Sequence, residues 1–270
     1  MPAATPYTPA EDLKLRSGEE VFPVHSTLLS LASGVFKTML SLPQPSSSEP
    51  GEIPIIDVSE PPEVLGLLLK FIYPVPDPII DDDLDTLILV LEAAWKYEVP
   101  SAIQSLRKQL VSEQYLEQFS TRIYAVAVFH DFEQEAKLAS KHTLGIKLLD
   151  RPPPKELELI SAISYHRLLA LHQSRASAAR SLLKLRDDVK CMQCDMYGAF
   201  SGGPEWWLDF KARAHERLKT NPTTDGIFTL EFLSKSLDKI KCHKCPLSLV
   251  QSWSFLEELK QKMDELPDTI

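Results

Sequence analysis

The chain has 270 residues, of which 44% are hydrophobic and 25% charged, and its net charge at pH 7 is −9. These proportions are typical of a globular protein that can form one large domain or two of ordinary size. The negative charge is concentrated in residues 1–120, which carry 18 acidic and 7 basic residues. Because contacts with phosphate need clustered Lys and Arg, this half disfavours binding to nucleic acid or to an anionic membrane surface.

The amino terminus gives no sign of export. MPAATPYTPAED has neither the basic start nor the apolar run of a secretory signal, and we expect residues 1–10 to be disordered. The most apolar stretch, residues 64–75, contains Lys70 and is too short to span a bilayer. We therefore expect a cytoplasmic or nuclear protein, in which structural disulfides are rare.

The first predicted elements are a hairpin and two helices. Apolar and polar residues alternate over residues 12–25 around a turn at Gly18, which is typical of a β-hairpin. Apolar residues then follow helical spacing over residues 26–40, interrupted at Gly34. The interruption predicts two short helices rather than one.

A polar loop over residues 42–51 leads to a third predicted strand at residues 53–58. Pro54 lies in this strand and lacks an N–H for the ladder, so we expect the strand at a sheet edge. Three amphipathic helices are predicted next, over residues 63–73, 81–99 and 100–114. The apolar face of the first is interpreted as core rather than as a partner groove.

Almost everything beyond Ser120 is predicted to be helical. Two helices are expected in residues 121–145 with a break at His130, then a long helical region at residues 159–189 and a final helix at residues 254–266. Four aromatic residues of the tail are interpreted as core rather than as an exposed docking surface: Trp206, Trp207, Phe210 and Trp253. The predicted fold class is α+β in the first half and all-α in the second.

A specific set of residues accompanies this order of elements. The set comprises Asp12, Gly18, Phe22, Val24, His25, Leu28, Leu29, Ser33, Val35, Phe36, Met39, Leu40, Phe71, Tyr73, the strand at residues 53–58 and the segment AAWKYEV. With these residues the first half resembles the BTB/POZ family. The resemblance implies a BTB/POZ domain over residues 11–115, with a short sheet flanked by helices, followed by a helical C-terminal region over residues 116–270. That region resembles the helical extension of many fungal BTB proteins and, more distantly, the start of a BACK domain.

The resemblance implies a non-enzymatic interaction module or adaptor with protein partners, including a homodimer, and a structural role for His25. Two departures qualify it. Ser26 follows the histidine, where many transcriptional BTB domains have a basic residue that forms a charged pocket with Asp12. Only eleven residues precede Asp12, which is short for the exchanged amino-terminal strand and helix of long BTB dimers.

The four cysteines form two C-x-x-C pairs, CMQC at Cys191 and Cys194 and CHKC at Cys242 and Cys245. Each such turn presents two thiolates to one ion, so the two pairs predict a four-thiolate structural zinc site, closed by a small helical insert between them. His243 could replace one thiolate. Buried free thiols and a dithiol redox pair are the alternatives.

Two other functions remain open. One is a cysteine-dependent enzyme in the C-terminal half, with Cys191 or Cys242 as nucleophile and His172, His215 or His243 as base. The other, implied by the resemblance, is a substrate adaptor of a cullin-type ubiquitin ligase, whose docking surface would be bordered by residues 41–51 and 83–99. The loop at residues 41–51 lacks the hydrophobic-x-glutamate element typical of those adaptors.

Overall fold

The computed structural model describes residues 11–42, 53–81, 83–195, 202–238 and 240–270. The expected disorder of residues 1–10 lies outside the described residues, as does most of the predicted loop at residues 42–51. The backbone divides into two compact units, Met1–Tyr115 and Leu116–Ile270.

The first unit contains a three-stranded sheet in the order β2-β1-β3. Its strands are β1 (Leu13–Ser17), β2 (Glu20–Val24) and β3 (Ile55–Val58). β1 and β2 form the predicted antiparallel hairpin, and Gly18 has the positive φ of +57° that its turn requires. β3 pairs in parallel with β1 and occupies a sheet edge, which confirms the position predicted from Pro54.

Five helices follow or flank the sheet: α1 (Ser26–Ala32), α2 (Gly34–Ser41), α3 (Pro62–Ile72), α4 (Leu84–Lys96) and α5 (Pro100–Leu110). The predicted break between α1 and α2 falls at Ser33. Its hydroxyl accepts a hydrogen bond from the N–H of Phe36 at 3.0 Å and donates one to the carbonyl of Tyr97. Ser33 therefore caps α2 and joins it to the end of α4.

The core of the first unit lies between the sheet and the helices. Leu13 and Leu15 of β1 are 1% and 0% exposed. The apolar face of α3 is buried with them through Val64, Leu65, Leu68, Leu69 and Phe71. The interpretation of this face as core is confirmed.

Helices are the only regular secondary structure among the described residues of the second unit. Its α-helices are α6 (Glu113–Phe129, which begins just before the unit), α7 (Glu133–Thr143), α8 (Ala162–Ser181), α9 (Glu205–Thr220), α10 (Leu230–Ser234), α11 (Cys245–Gln251) and α12 (Trp253–Asp264). Two 3-10 helices lie at Leu148–Asp150 and Lys155–Leu159. The break predicted at His130 occurs there, where Asp131 takes a φ of +57°. The α+β and helical fold classes are thus confirmed for the described residues.

No helix within the described residues is long and apolar enough to cross a membrane. The aromatic residues of the tail divide into two groups. Trp206, Trp207 and Phe210 are almost completely buried, as predicted, whereas Trp253 is 45% exposed. The prediction of core burial is wrong for Trp253 because it begins α12 at the surface, where its indole N–H donates to Glu257 Oε1 at 2.7 Å.

Candidate metal centre

Both C-x-x-C pairs lie in tight turns. In the first, the N–H of Asp195 donates to the carbonyl of Cys191 at 3.2 Å. In the second, the N–H of Cys245 donates to the carbonyl of Cys242 at 3.4 Å, and α11 begins at Cys245. Because the backbone turns between the two cysteines of a pair, both sulfurs lie on the same side of that turn.

The two turns bring all four sulfurs together. The Sγ–Sγ distance is 3.4 Å between Cys191 and Cys242, 3.5 Å between Cys194 and Cys245, and 3.9 Å between Cys191 and Cys245. All four atoms lie within 4.8 Å of one another. Four thiolates bound about 2.3 Å from a tetrahedral ion are about 3.8 Å apart, so the cluster is close to the size that zinc requires.

The sulfurs are also far too distant from one another for disulfides, whose S–S bond is about 2.05 Å, and all four cysteines are free. Cys191, Cys242 and Cys245 are buried, and Cys194 is half-buried. His243, the alternative ligand, is exposed and is not among the residues that converge. The described donor set is therefore sulfur alone, which suits zinc among common structural metals.

Burial and the closeness of the four thiols shift the pKa values of the cysteines. Burial raises the pKa of Cys194 to about 11 and also raises the pKa of Cys245. Burial acts in the same direction on Cys242, but the N–H of Lys244 and the neighbouring thiols lower its pKa to about 7. Four protein thiols cannot all ionise at this spacing without a cation, and a bound Zn²⁺ would supply the missing positive charge.

One backbone donor of the centre was missed by the sequence analysis. The N–H of Glu205, the first residue of α9, donates to Cys194 Sγ at 3.4 Å. The signal for it is the Gly-Gly-Pro sequence just before α9. Gly203 has a φ of +122°, and a Cβ there would lie 2.4 Å from Leu185 Cδ2, so glycine is needed to bring the helix start to the sulfur.

The centre is continuous with the core of the second unit. Cys191, Cys242 and Cys245 belong to the same buried cluster as Trp206 and Trp207. The Trp206 indole N–H donates to Ser248 Oγ at 3.1 Å, and that hydroxyl donates to the carbonyl of Lys190 at 2.8 Å. The predicted helical insert is present as α9 and α10, which lie in the chain between the two cysteine pairs.

Two of the three histidines considered as catalytic bases lie beside side chains other than the cysteines, and the third, His243, is exposed. His172 Nε2 lies 3.0 Å from Thr143 Oγ1, and His215 Nδ1 lies 3.8 Å from Glu216 Oε1. Among the described residues the sulfurs contact one another, Gln193 Oε1 and the backbone N–H groups of Lys244, Glu205 and Trp206, and no histidine ring is hydrogen-bonded to them. Within the described residues, no cysteine therefore makes the contact with a histidine that a nucleophile and its base form in a cysteine enzyme.

Comparison with known families concerns the first unit. The family model described as "BTB/POZ domain" matches residues 9–114. These residues form a BTB/POZ domain. The match ends before the cysteine centre, and no curated protein matches the chain.

Two residues that carry the BTB signature contact each other directly. The N–H of His25 donates to Tyr73 Oη at 3.0 Å, and His25 Nδ1 lies 3.0 Å from the same oxygen. Burial raises the pKa of Tyr73, so its hydroxyl is protonated at neutral pH. His25 joins the end of β2 to the end of α3 in the BTB domain, which is a structural role.

Proposed function

We propose that the chain is a non-enzymatic interaction protein in which a BTB domain (residues 11–115) engages protein partners. BTB domains are generally interaction modules rather than enzymes, and the match over residues 9–114 is the observation that carries this proposal. An adaptor role follows if the C-terminal region (residues 116–270) holds a second partner. We expect the protein in the cytoplasm or the nucleus, bound neither to nucleic acid nor to a membrane.

Self-association is the first partner interaction to test. Leu31 of α1 is 80% exposed and lines a surface depression of the BTB domain with Lys37 and Leu40. An exposed leucine in such a depression is a suitable anchor for a second copy. Light scattering of the full chain should report a dimer that Leu31→Glu converts to a monomer. Ile79→Glu, at an aliphatic residue that is 78% exposed elsewhere in the domain, is the matched control.

If the wild-type protein is a monomer at high micromolar concentration, the homodimer is excluded and the partners of the BTB domain are other proteins. Affinity purification of the native protein, with mass spectrometry of the bound chains, identifies these. A purified cullin belongs among the baits, since α4 would border such a docking surface, whereas residues 43–51 lie outside the described residues. No binding at micromolar concentration would exclude the cullin adaptor.

We further propose that Cys191, Cys194, Cys242 and Cys245 hold one structural zinc ion. Sulfur spacing, burial and the all-thiolate donor set support it. Native mass spectrometry of the full chain should find one zinc per chain. A chain with no bound metal after expression with zinc, and four thiols that react at once with iodoacetamide, would contradict the proposal.

The same labelling experiment separates the structural centre from the cysteine-dependent enzyme. Zinc-bound thiolates should label slowly until a chelator removes the metal, and then all four should react. A catalytic cysteine would instead label rapidly and alone in the presence of metal, because its thiolate must be accessible to substrate.

A further inference from the structure

The second unit has a surface groove of about 790 Å³ whose lining residues all belong to this unit and include none of the four cysteines. One wall is a single face of α12, where the lining residues recur from Trp253 to Glu265 at helical spacing. Residues 224–233 form the other wall. Twelve residue steps of helix make the groove about 18 Å long, enough for about five residues of extended peptide.

The groove has an apolar part. Trp253, 45% exposed, lies at the start of α12 at one end of the groove, and the lining also includes the partly buried Phe228 and the buried side chains of Leu233 and Leu256. The hydrogen bond from the Trp253 indole to Glu257 holds the ring in place before any partner arrives. A tryptophan fixed at the edge of a cavity is a typical binding anchor, since little side-chain entropy is lost on association.

The rest of the groove is acidic. Four exposed carboxylates line it, those of Asp225, Glu257, Asp264 and Glu265, and Lys260 is the one cation among the described residues of this lining. Within the described residues none of the four carboxylates forms an ion pair, whereas many other exposed acids of the second unit do, such as Glu216 with Lys219 and Glu231 with Lys235. Thr224 and Gln261 donate hydrogen bonds to Asp264 and Glu265, but these neutral donors leave the negative charge uncompensated. Carboxylates of one sign along a groove attract a partner of opposite charge.

The carboxylates are spread along the groove rather than gathered around a point. Among the described residues the only group of three or more potential ligands that converges is the cysteine cluster. A bound cation therefore does not account for the acidic lining, and the negative charge repels nucleic acid. An extended ligand that carries several positive charges matches the arrangement.

We propose that this groove binds a linear peptide that has an apolar residue at one end, seated against Trp253, followed by lysines or arginines along the carboxylates. The partner is a basic segment of another protein. This inference deepens the proposed adaptor function by assigning a partner class to the C-terminal region, and it does not depend on what the BTB domain binds.

The test uses the full chain and two labelled peptides of equal length. One has a phenylalanine followed by a run of lysines, and the other has glutamates in place of the lysines. Fluorescence anisotropy should show binding of the lysine peptide that weakens as salt is added, and no binding of the glutamate peptide. Trp253→Ala and the double variant Glu257→Lys, Glu265→Lys should each weaken binding about tenfold or more.

The matched control is the double variant Asp187→Lys, Asp238→Lys, which makes the same charge change at exposed acids of the second unit outside the groove lining. It should bind like the wild type. Equal losses in both double variants would show that net charge alone attracts the peptide, and no binding of the lysine peptide at millimolar concentration would also overturn the proposal. Because every variant lies outside residues 11–115, the dimer test with Leu31→Glu remains independent of this result.

Discussion

Asp12 accepts two hydrogen bonds from Ser26, one from its backbone N–H at 2.7 Å and one from its hydroxyl at 2.5 Å. The carboxylate stands just before β1, and Ser26 is the first residue of α1. These bonds lower the pKa of Asp12, with the Ser26 hydroxyl as the largest cause. The side chain of His25 makes no capping bond to α1, so Asp12 caps this helix from a distant part of the sequence.

We predict that Asp12→Ala destabilises the BTB domain by about 0.5–1 kcal/mol, the lower part of the range for helix caps, because the site is exposed. Ser26→Ala should cost less, since the backbone bond to Asp12 remains. Urea unfolding followed by circular dichroism measures both changes. Asp57→Ala, which removes an exposed partner of Arg16, is the control for loss of an aspartate at the surface. A larger loss in Ser26→Ala than in Asp12→Ala would contradict the capping role.

The zinc proposal predicts different outcomes for two neighbouring substitutions. Cys245→Ser should abolish stoichiometric zinc, whereas His243→Ala should retain it, because the histidine is outside the converging set. Metal analysis of the purified proteins measures this. Zinc loss in His243→Ala would instead identify a site with three thiolates and one imidazole.

Loss of zinc should loosen one part of the molecule selectively. Zinc–thiolate binding contributes on the order of 10 kcal/mol in isolated finger peptides, and here it would join the loop at Cys191 to the start of α11. Hydrogen exchange in Cys245→Ser should therefore increase in α9 and α11, while protection in α3 of the BTB domain is unchanged. Increased exchange in α3 as well would show that the two units do not unfold separately.

A buried ion pair in the second unit gives another prediction. Arg122 donates two hydrogen bonds to Glu156 Oε1, at 3.0 and 2.6 Å, and Glu156 is 3% exposed. Within the described residues Glu156 Oε2 has no hydrogen-bond partner. Arg122→Met would leave a buried carboxylate without its cation, so we expect a loss of about 3–5 kcal/mol.

The double variant Arg122→Met, Glu156→Leu should recover most of that stability, since an apolar pair needs no charge compensation. Denaturant unfolding monitored by the fluorescence of Trp206 and Trp207, both buried in the second unit, measures the cycle. Additive losses in the two single variants and the double variant would show that the pair is not coupled.

Local chemistry explains what the sequence predicted correctly. The break at Ser33, the edge position of the strand after Pro54 and the convergence within each C-x-x-C turn all depend on residues a few positions apart. The parallel pairing of β3 with β1 had no such signal, because its partner lies some forty residues earlier and strand orientation leaves no mark on alternation.

In the candidate site, too, the features set by neighbouring residues could be predicted from the sequence, and those set by the tertiary fold could not. The convergence of its four cysteines could be predicted because cysteine pairs with this spacing have a specific chemistry. The cross-pairing of Cys191 with Cys242, and of Cys194 with Cys245, depends on how the insert folds, and the position of Trp253 depends on where α12 begins. An aromatic residue at a helix start satisfies the pattern of a core residue and that of a surface anchor equally well.

The final prediction concerns pH and a half-buried histidine of α8. Burial lowers the pKa of His172 from its ordinary 6.5 to about 4. Thr143 already donates its only hydroxyl proton to the carbonyl of Ser140 at 2.6 Å, so His172 Nε2 must be the donor in its 3.0 Å contact with Thr143. The folded protein thus prefers the neutral ring, protonated at Nε2.

The sign of the pH dependence follows from this preference. Between pH 6.5 and about 4 the unfolded chain binds a proton at His172 that the folded chain does not. The contribution of His172 to the free energy of unfolding is therefore complete above pH 6.5 and is lost as the pH falls towards 4. The shift corresponds to at most about 3 kcal/mol. In His172→Gln the amide can still donate to Thr143, but nothing titrates, so the fall in unfolding free energy across this window should be smaller than in the wild type. His166→Gln, at an exposed histidine of the same helix, is the matched control. A reduced slope in that variant, with the wild-type slope retained in His172→Gln, would assign the pH dependence to the exposed residue and contradict the prediction.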